Sequence, residues 1–227
     1  MKSAHPHPGV DISVVRTDAM ERDDLQEVHD LFARAYEQAN HEYLDHSLAQ
    51  LRQVGRAHEN GSLIGFALGE VVEAKLPRLD GLHVLVLGGI GCVDPGHRRS
   101  GLFSQITSRA ALENGKLAAA RGRVLACGRM GHPAGFRSMN RMPSVVPSES
   151  RPPSPWHLEI AALVADLYGV RLKPGSMIVE GSGRPVGYPR LEIDVEEEEW
   201  RVFENVDRDR GDSLLGLAWS PDAPDGW

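Results

Sequence analysis

The sequence is short of cysteine, of long apolar runs and of basic charge, and each shortage closes off a class of function. Only two of its 227 residues are cysteine, Cys92 and Cys127. Both lie in apolar, strand-like runs, where buried reduced thiols belong. Without C-x-x-C spacing they define neither a disulfide framework nor a metal site. A cytoplasmic protein with no metal is the expectation. No apolar run approaches the ~20 residues of a membrane helix. Met1 to Val10 has His, Pro and Gly where a signal peptide would be apolar. Lys and Arg number 25 against 32 Asp and Glu, a net charge of −7. That balance leaves no basic footprint for nucleic acid, and it suits a cationic acceptor. Two nucleotide loops are missing as well. No Gly-Lys-Ser/Thr triplet occurs, and Gly89-Ile90-Gly91 is followed by Cys92-Val93-Asp94 without the third glycine of a dinucleotide loop.

What is present centres on residues 88 to 109. The apolar run Val84 to Val93 stops at Asp94-Pro95-Gly96, a trio that ends strands and makes turns. From Leu102 the spacing becomes helical, with Leu102, Phe103, Ile106 and Ala110 on one side. The first-turn amides of such a helix have no internal partners and sit at the positive end of its dipole. Arg98 and Arg99 add full charge, and Gly101 lets backbone approach a ligand closely. A diphosphate is the natural occupant.

Arg98-Arg99-Ser100-Gly101-Leu102-Phe103 resembles the acyl-CoA loop [QR]-x-x-G-x-[GA] of the Gcn5-related N-acetyltransferase superfamily. It matches at arginine and glycine and departs at Phe103, where a small residue is usual. Val93-Asp94-Pro95 before the loop and the helix after it extend the likeness, which covers residues 10 to 135. The resemblance implies an α/β fold (an α+β mixed sheet) with splayed central parallel strands and a diphosphate-binding strand, loop and helix. One domain spanning 1–227 is expected. Acetyl-CoA would be held by Gly91, Cys92 and Val93 along the strand and by Arg98, Arg99, Ser100, Gly101, Leu102, Phe103 and Ser104 in the loop. The acceptor would be a small-molecule or peptide amine, with a second copy of the chain as a candidate partner. Phe103 is expected to face the diphosphate with its amide and to bury its ring in the helix–sheet core.

The remaining elements follow from pattern. Asp11 to Arg16 reads as a strand, Asp18 to Glu21 as a helix cap, and Leu25 to Ala39 as a first helix. A second helix is predicted near 43–53. Residues 54–59 and 62–76 form a hairpin through Asn60-Gly61, and 82–93 is the strand before the loop. A helix over 102–120 and a strand over 123–127 follow. Residues 142–156 carry five prolines, at 143, 147, 152, 153 and 155, so this stretch is extended. It is expected to wall the acceptor cleft. A helix over 158–167 and short strands at 176–180, 191–195, 201–206 and 213–219 complete the chain. Glu196 to Glu199 reads as a solvated charge run and 220–227 as a loose tail.

Catalytic residues are harder to assign. Acyl transfer from a thioester needs a neutral amine, a stabilised oxyanion and a proton for the leaving thiolate. The family's strand glutamate, about fourteen residues before the loop glycine, falls here on Leu87. The candidate bases are therefore His83, Glu70 and His132, and Tyr168 is the candidate acid. Each could equally be structural, and a water chain could serve instead. Cys92 lacks a His-Asp partnership for nucleophilic attack. Glu37, His41, Glu42, Asp45 and His46 are the polar members of a helix pair that lines the acceptor groove in the superfamily, or else a solvated face. A non-catalytic acyl-CoA-binding module and a transferase of longer acyl chains are the competing functions.

Overall fold

A computed structural model describes residues 9–112, 117, 122–191 and 193–227. In chain order the elements are β1 Val10–Arg16, α1 Arg22–Ala35, β2 Tyr36–Glu37, α2 His41–Gln50, β3 Gln53–Glu59, β4 Ser62–Ala74 and β5 His83–Val93. They continue with α3 Leu102–Leu112, β6 Val124–Met130, α4 Pro133–Asn140, α5 Pro155–Leu167, β7 Ile178–Val179, β8 Tyr188–Pro189, α6 Glu197–Trp200 and β9 Ser213–Ser220. The fold is mixed α/β. Its larger sheet has the strand order β1-β3-β4-β5-β6-β9-β7, and β2 pairs separately with β8. The chain forms two compact units. One holds the described residues of 1–70, 88–118 and 186–192, the other those of 71–87, 119–185 and 193–227.

In the first unit β1 lies antiparallel to β3, in register from Val10 opposite Glu59 to Arg16 opposite Gln53. The predicted hairpin joins β3 to β4. Asn60 and Gly61 take φ of 50° and 79°, the paired left-handed conformation that closes a two-residue hairpin. Helix α1 buries Val28, Leu31, Phe32 and Ala35, a spacing that keeps one stripe turned inward. Its cap is Glu21 with Asp24, each side chain bonded to the other's backbone, rather than the expected Asp18, which sits in a single 3-10 turn. The helix also ends at Ala35, four residues early, because Tyr36 and Glu37 extend to pair with Tyr188 and Pro189. Helix α3 lies on this sheet where two glycines leave room. A Cβ on Gly55 would sit 2.7 Å from Ile106 Cγ2, and one on Gly65 would sit 2.8 Å from Ile106 Cδ1. The predicted extension of α3 to 120 lies outside the described residues.

In the second unit β9 pairs with β6 from Ser220 opposite Val124 to Leu214 opposite Met130. Strand β9 is buried almost throughout. The expected strand at 201–206 is instead a 3-10 turn, Arg201–Phe203, which puts Phe203 into a cluster with Phe136, Met139 and Leu214. Residues 144–146 of the proline-rich stretch are buried. Ser144 Oγ donates to the Trp219 carbonyl and accepts from its amide at 2.9 and 2.8 Å. The tail is not loose. Trp227 Nε1 donates to the Ser144 carbonyl at 2.7 Å, and its ring meets Trp156, His157 and Trp219.

Candidate functional site

Strand β5 ends at Val93, and the eight residues before α3 form a tied loop. The Asp94 amide donates to the Ile64 carbonyl at 2.8 Å, and its carboxylate accepts from the Gly96 amide at 3.0 Å. That carboxylate also lies 3.5 Å from the Arg34 guanidinium. His97 Nε2 lies 3.1 Å from Glu59 at the end of β3. Arg99 and Gly101 take φ of 65° and 83°. Only glycine holds that conformation without strain, which explains Gly101 and marks Arg99 as forced. Ser100 Oγ donates to the His97 carbonyl at 2.6 Å and accepts from the Leu102 amide at 3.3 Å. The first intrahelical bond runs from the Gln105 amide to the Gly101 carbonyl, 3.1 Å. Helix geometry therefore leaves the Phe103 and Ser104 amides without a backbone acceptor at an exposed helix start. Arg99 is exposed beside them.

Two loop residues depart from expectation. Leu102, Ile106 and Ala110 are buried, but Phe103 is 44% exposed. Its ring leans on β5 instead of entering the core: a Cβ on Gly91 would stand 2.8 Å from Phe103 Cε2. The Arg98 guanidinium is spent on backbone, donating to the carbonyls of Leu191 at 3.0 Å and Ala35 at 3.4 Å. With the Arg190 amide on the Ala35 carbonyl and the Asn40 amide on the Val186 carbonyl, both 3.0 Å, it straps residues 186–191 across the end of α1. An open cleft of about 770 Å³ lies at this end, lined by Asp30, Ala33, Arg34, Asp94, Pro95 and Arg190.

The catalytic candidates are dispersed. Glu70 accepts from the Arg52 amide at 2.9 Å and so pins the start of β3. His83 opens β5 and gives Nε2–H to the Asp80 carbonyl at 3.1 Å. It stands nine positions before Cys92 in the sequence. His132 caps α4, its Nδ1 accepting from the Ala134 amide at 3.1 Å. Burial first, then Arg208 and Arg137, lower its pKa to about 4. The ring's one proton is then on Nε2 and its one lone pair is in use, so in this state it has nothing with which to accept a proton. Tyr168 is fully buried, and its hydroxyl donates to the Cys127 carbonyl at 3.1 Å. Cys92 is buried too, and burial pushes its thiol pKa far up, which leaves it a poor nucleophile.

Sequence reasoning gave less weight to what the two helices of the first unit bring together. His29 Nδ1 and His41 Nδ1 are 2.7 Å apart, and His29 Nε2 is 2.9 Å from Asp45. Tyr36, half-buried, has its pKa raised by burial and then by the neighbouring Cys92 thiol. A spacing of four between His41 and Asp45 was the available signal, since it puts both on one face of α2. His29, on the other helix, gave none.

No protein-family model and no curated protein matches the chain. Solved structures do. The ribosomal-protein-S18-alanine N-acetyltransferase of Escherichia coli matches at 13% identity and a TM-score of 0.40, over 96% of this chain and 99% of its own. An aminoglycoside 6′-N-acetyltransferase bound to a bisubstrate analogue matches at 16% and 0.41, over 58% of this chain and 85% of its own. A conserved Enterococcus faecalis V583 protein of unknown function, described as a probable N-acyltransferase, matches at 14% and 0.42 over 60% of this chain; the match spans 33% of that protein. The solved structures to which this chain is similar include N-acetyltransferases.

Proposed function

We propose that the protein transfers an acyl group, acetyl by default, from acyl-CoA to a primary amine by direct attack. One observation carries this reading. Between β5 and α3 the loop turns through two left-handed residues, Arg99 and Gly101, and delivers the open amides of Phe103 and Ser104 beside exposed positive charge. A diphosphate on those amides would gain charge-assisted hydrogen bonds at the positive end of α3. From there the pantetheine arm would run toward the backbone of Gly91, Cys92 and Val93. An amide of that strand would meet the thioester carbonyl, where the oxyanion develops during attack. Buried Cys92 stays a thiol, so the amine attacks the thioester itself and no acyl-enzyme forms. The test is incubation with acetyl-CoA and a panel of primary amines, reading free thiol. Thiol release that depends on the amine supports transfer. CoA binding with no turnover for any acyl donor would instead establish a non-catalytic binding module.

A further inference from the structure

The proposed transfer needs a group to take the amine's proton. We propose that Asp45, His29 and His41 form a proton relay whose outer nitrogen, His41 Nε2, is that base. The inference rests on the acyl-transfer reading above.

With both rings neutral, the hydrogen-bond pattern assigns the proton of every ring nitrogen. His29 Nε2 lies 2.9 Å from the Asp45 carboxylate, which can only accept, so Nε2 carries the proton of the neutral ring. His29 Nδ1 is then a lone pair. Its 2.7 Å contact with His41 Nδ1 requires the proton to be on His41. That leaves His41 Nε2 with a lone pair, on an exposed residue at the first position of α2. The order is carboxylate, imidazole, imidazole, open base: a triad with one extra ring. Asp45 and His29 act as positioning residues, holding the tautomer and stabilising the charge that forms on His41.

Other observations favour this place. The two imidazole planes lie within 18° of each other with centroids 5.0 Å apart, so the rings meet nearly edge to edge along the 2.7 Å Nδ1···Nδ1 contact. The Phe32 ring stands edge-on to His41 at 6.0 Å and packs against Tyr36 at 5.0 Å. Tyr36 in turn lies within electrostatic reach of Cys92, the strand residue beside the proposed thioester. The relay therefore belongs to the same unit as the donor loop, and two ring contacts run from it to Tyr36.

The proton balance is simple. As the amine nitrogen bonds to the thioester carbon, one N–H proton passes to His41 Nε2. The tetrahedral oxyanion collapses, the C–S bond breaks with its electron pair on sulfur, and the imidazolium returns the proton to the thiolate. Amide and free CoA thiol leave, and the relay is restored.

The experiment measures thiol release with an amine that the wild-type protein acylates, alongside CoA affinity. His41→Ala should lower kcat about a hundredfold while CoA Kd stays within twofold, and added imidazole should restore part of the rate. Asp45→Asn, at an exposed carboxylate, should cost about tenfold and give a second arm if His41→Ala folds poorly. Unchanged kcat in either variant overturns the base assignment. So does a loss in His41→Ala that imidazole leaves untouched and that CoA affinity shares. No turnover by the wild-type protein with CoA bound overturns the acyl-transfer reading, and the base with it. Full turnover in His41→Ala overturns the base alone.

Discussion

Gly91 and Phe103 meet at the centre of the proposed donor site, and their coupling can be measured. A Cβ at position 91 would stand 2.7 Å from the Phe66 carbonyl oxygen, 2.9 Å from Ala67 Cα and 2.8 Å from Phe103 Cε2. Two of these three neighbours are backbone and cannot swing aside, so Gly91→Ala should cost about 2–3 kcal/mol, the upper range for overpacking. Truncating a buried Phe costs roughly 3–5 kcal/mol. The Phe103 ring is 44% exposed, and alanine is the better helix former, so Phe103→Ala should cost only about 1–2 kcal/mol. In the double variant one clash of three is gone while the backbone clashes remain. Gly91→Ala should then cost about 0.5–1 kcal/mol less than in the wild-type background, a coupling typical of residues in contact. Urea unfolding of all four proteins, with the slope checked for constancy, supplies the cycle. Costs that add within ~0.3 kcal/mol would show that the ring does not rest on Gly91. A loss of 3–5 kcal/mol for Phe103→Ala alone would show the ring buried as core.

Three further expectations follow from the hydrogen-bond pattern. Arg98→Ala removes both donors that hold the carbonyls of Leu191 and Ala35; exchange at the Arg190 amide should accelerate, and unchanged protection there would refute the strap. His132 titrates near 4 folded against ~6.5 unfolded. The unfolded chain therefore binds the extra proton between those values, so about 1–2 kcal/mol of stability is lost as pH falls from 6.5 to 4. His132→Asn keeps a cap acceptor and should remove that loss, and an unchanged acid slope would contradict it. Tyr168→Phe should lose about 1 kcal/mol from the lost hydrogen bond to the Cys127 carbonyl with kcat unchanged, whereas a tenfold fall in kcat would favour Tyr168 as the acid.

Local chemistry was the legible part of this chain. Asn60-Gly61 announces its hairpin because two left-handed residues are needed and few pairs supply them. The β5–loop–α3 segment is legible for the same reason, since a strand stop, a glycine and a change of period all act within a few residues. Legibility fails where tertiary partners decide. Helical spacing groups Phe103 with Leu102 and Ile106, but at the second helical position the stripe has run past the sheet, leaving the ring on Gly91. Val202 and Phe203 alternate like a strand, yet Phe203 is held in a turn by Phe136. Trp227 looks like a tail residue because nothing nearby in sequence shows the rings that receive it. The pairing of His29 with His41 crosses two helices and twelve positions, and no periodicity reports it. Of the proposed donor site, the loop conformation and the helix start are what the sequence could announce, since a glycine and a change of period encode them. The contacts among His29, His41 and Asp45 are made by side chains that only the fold brings together.

The central claim is that the open amides of Phe103 and Ser104 receive the diphosphate of CoA. Titrating CoA into ¹⁵N-labelled protein while following backbone amide resonances tests this most directly. The account predicts that the Phe103 and Ser104 resonances shift most and saturate together with those of Cys92 and Val93. Gly101→Asp, which puts a negative charge and a strained Cβ at the helix start, should abolish those shifts. CoA binding that leaves these amides unmoved, or no binding at millimolar CoA, would contradict the account.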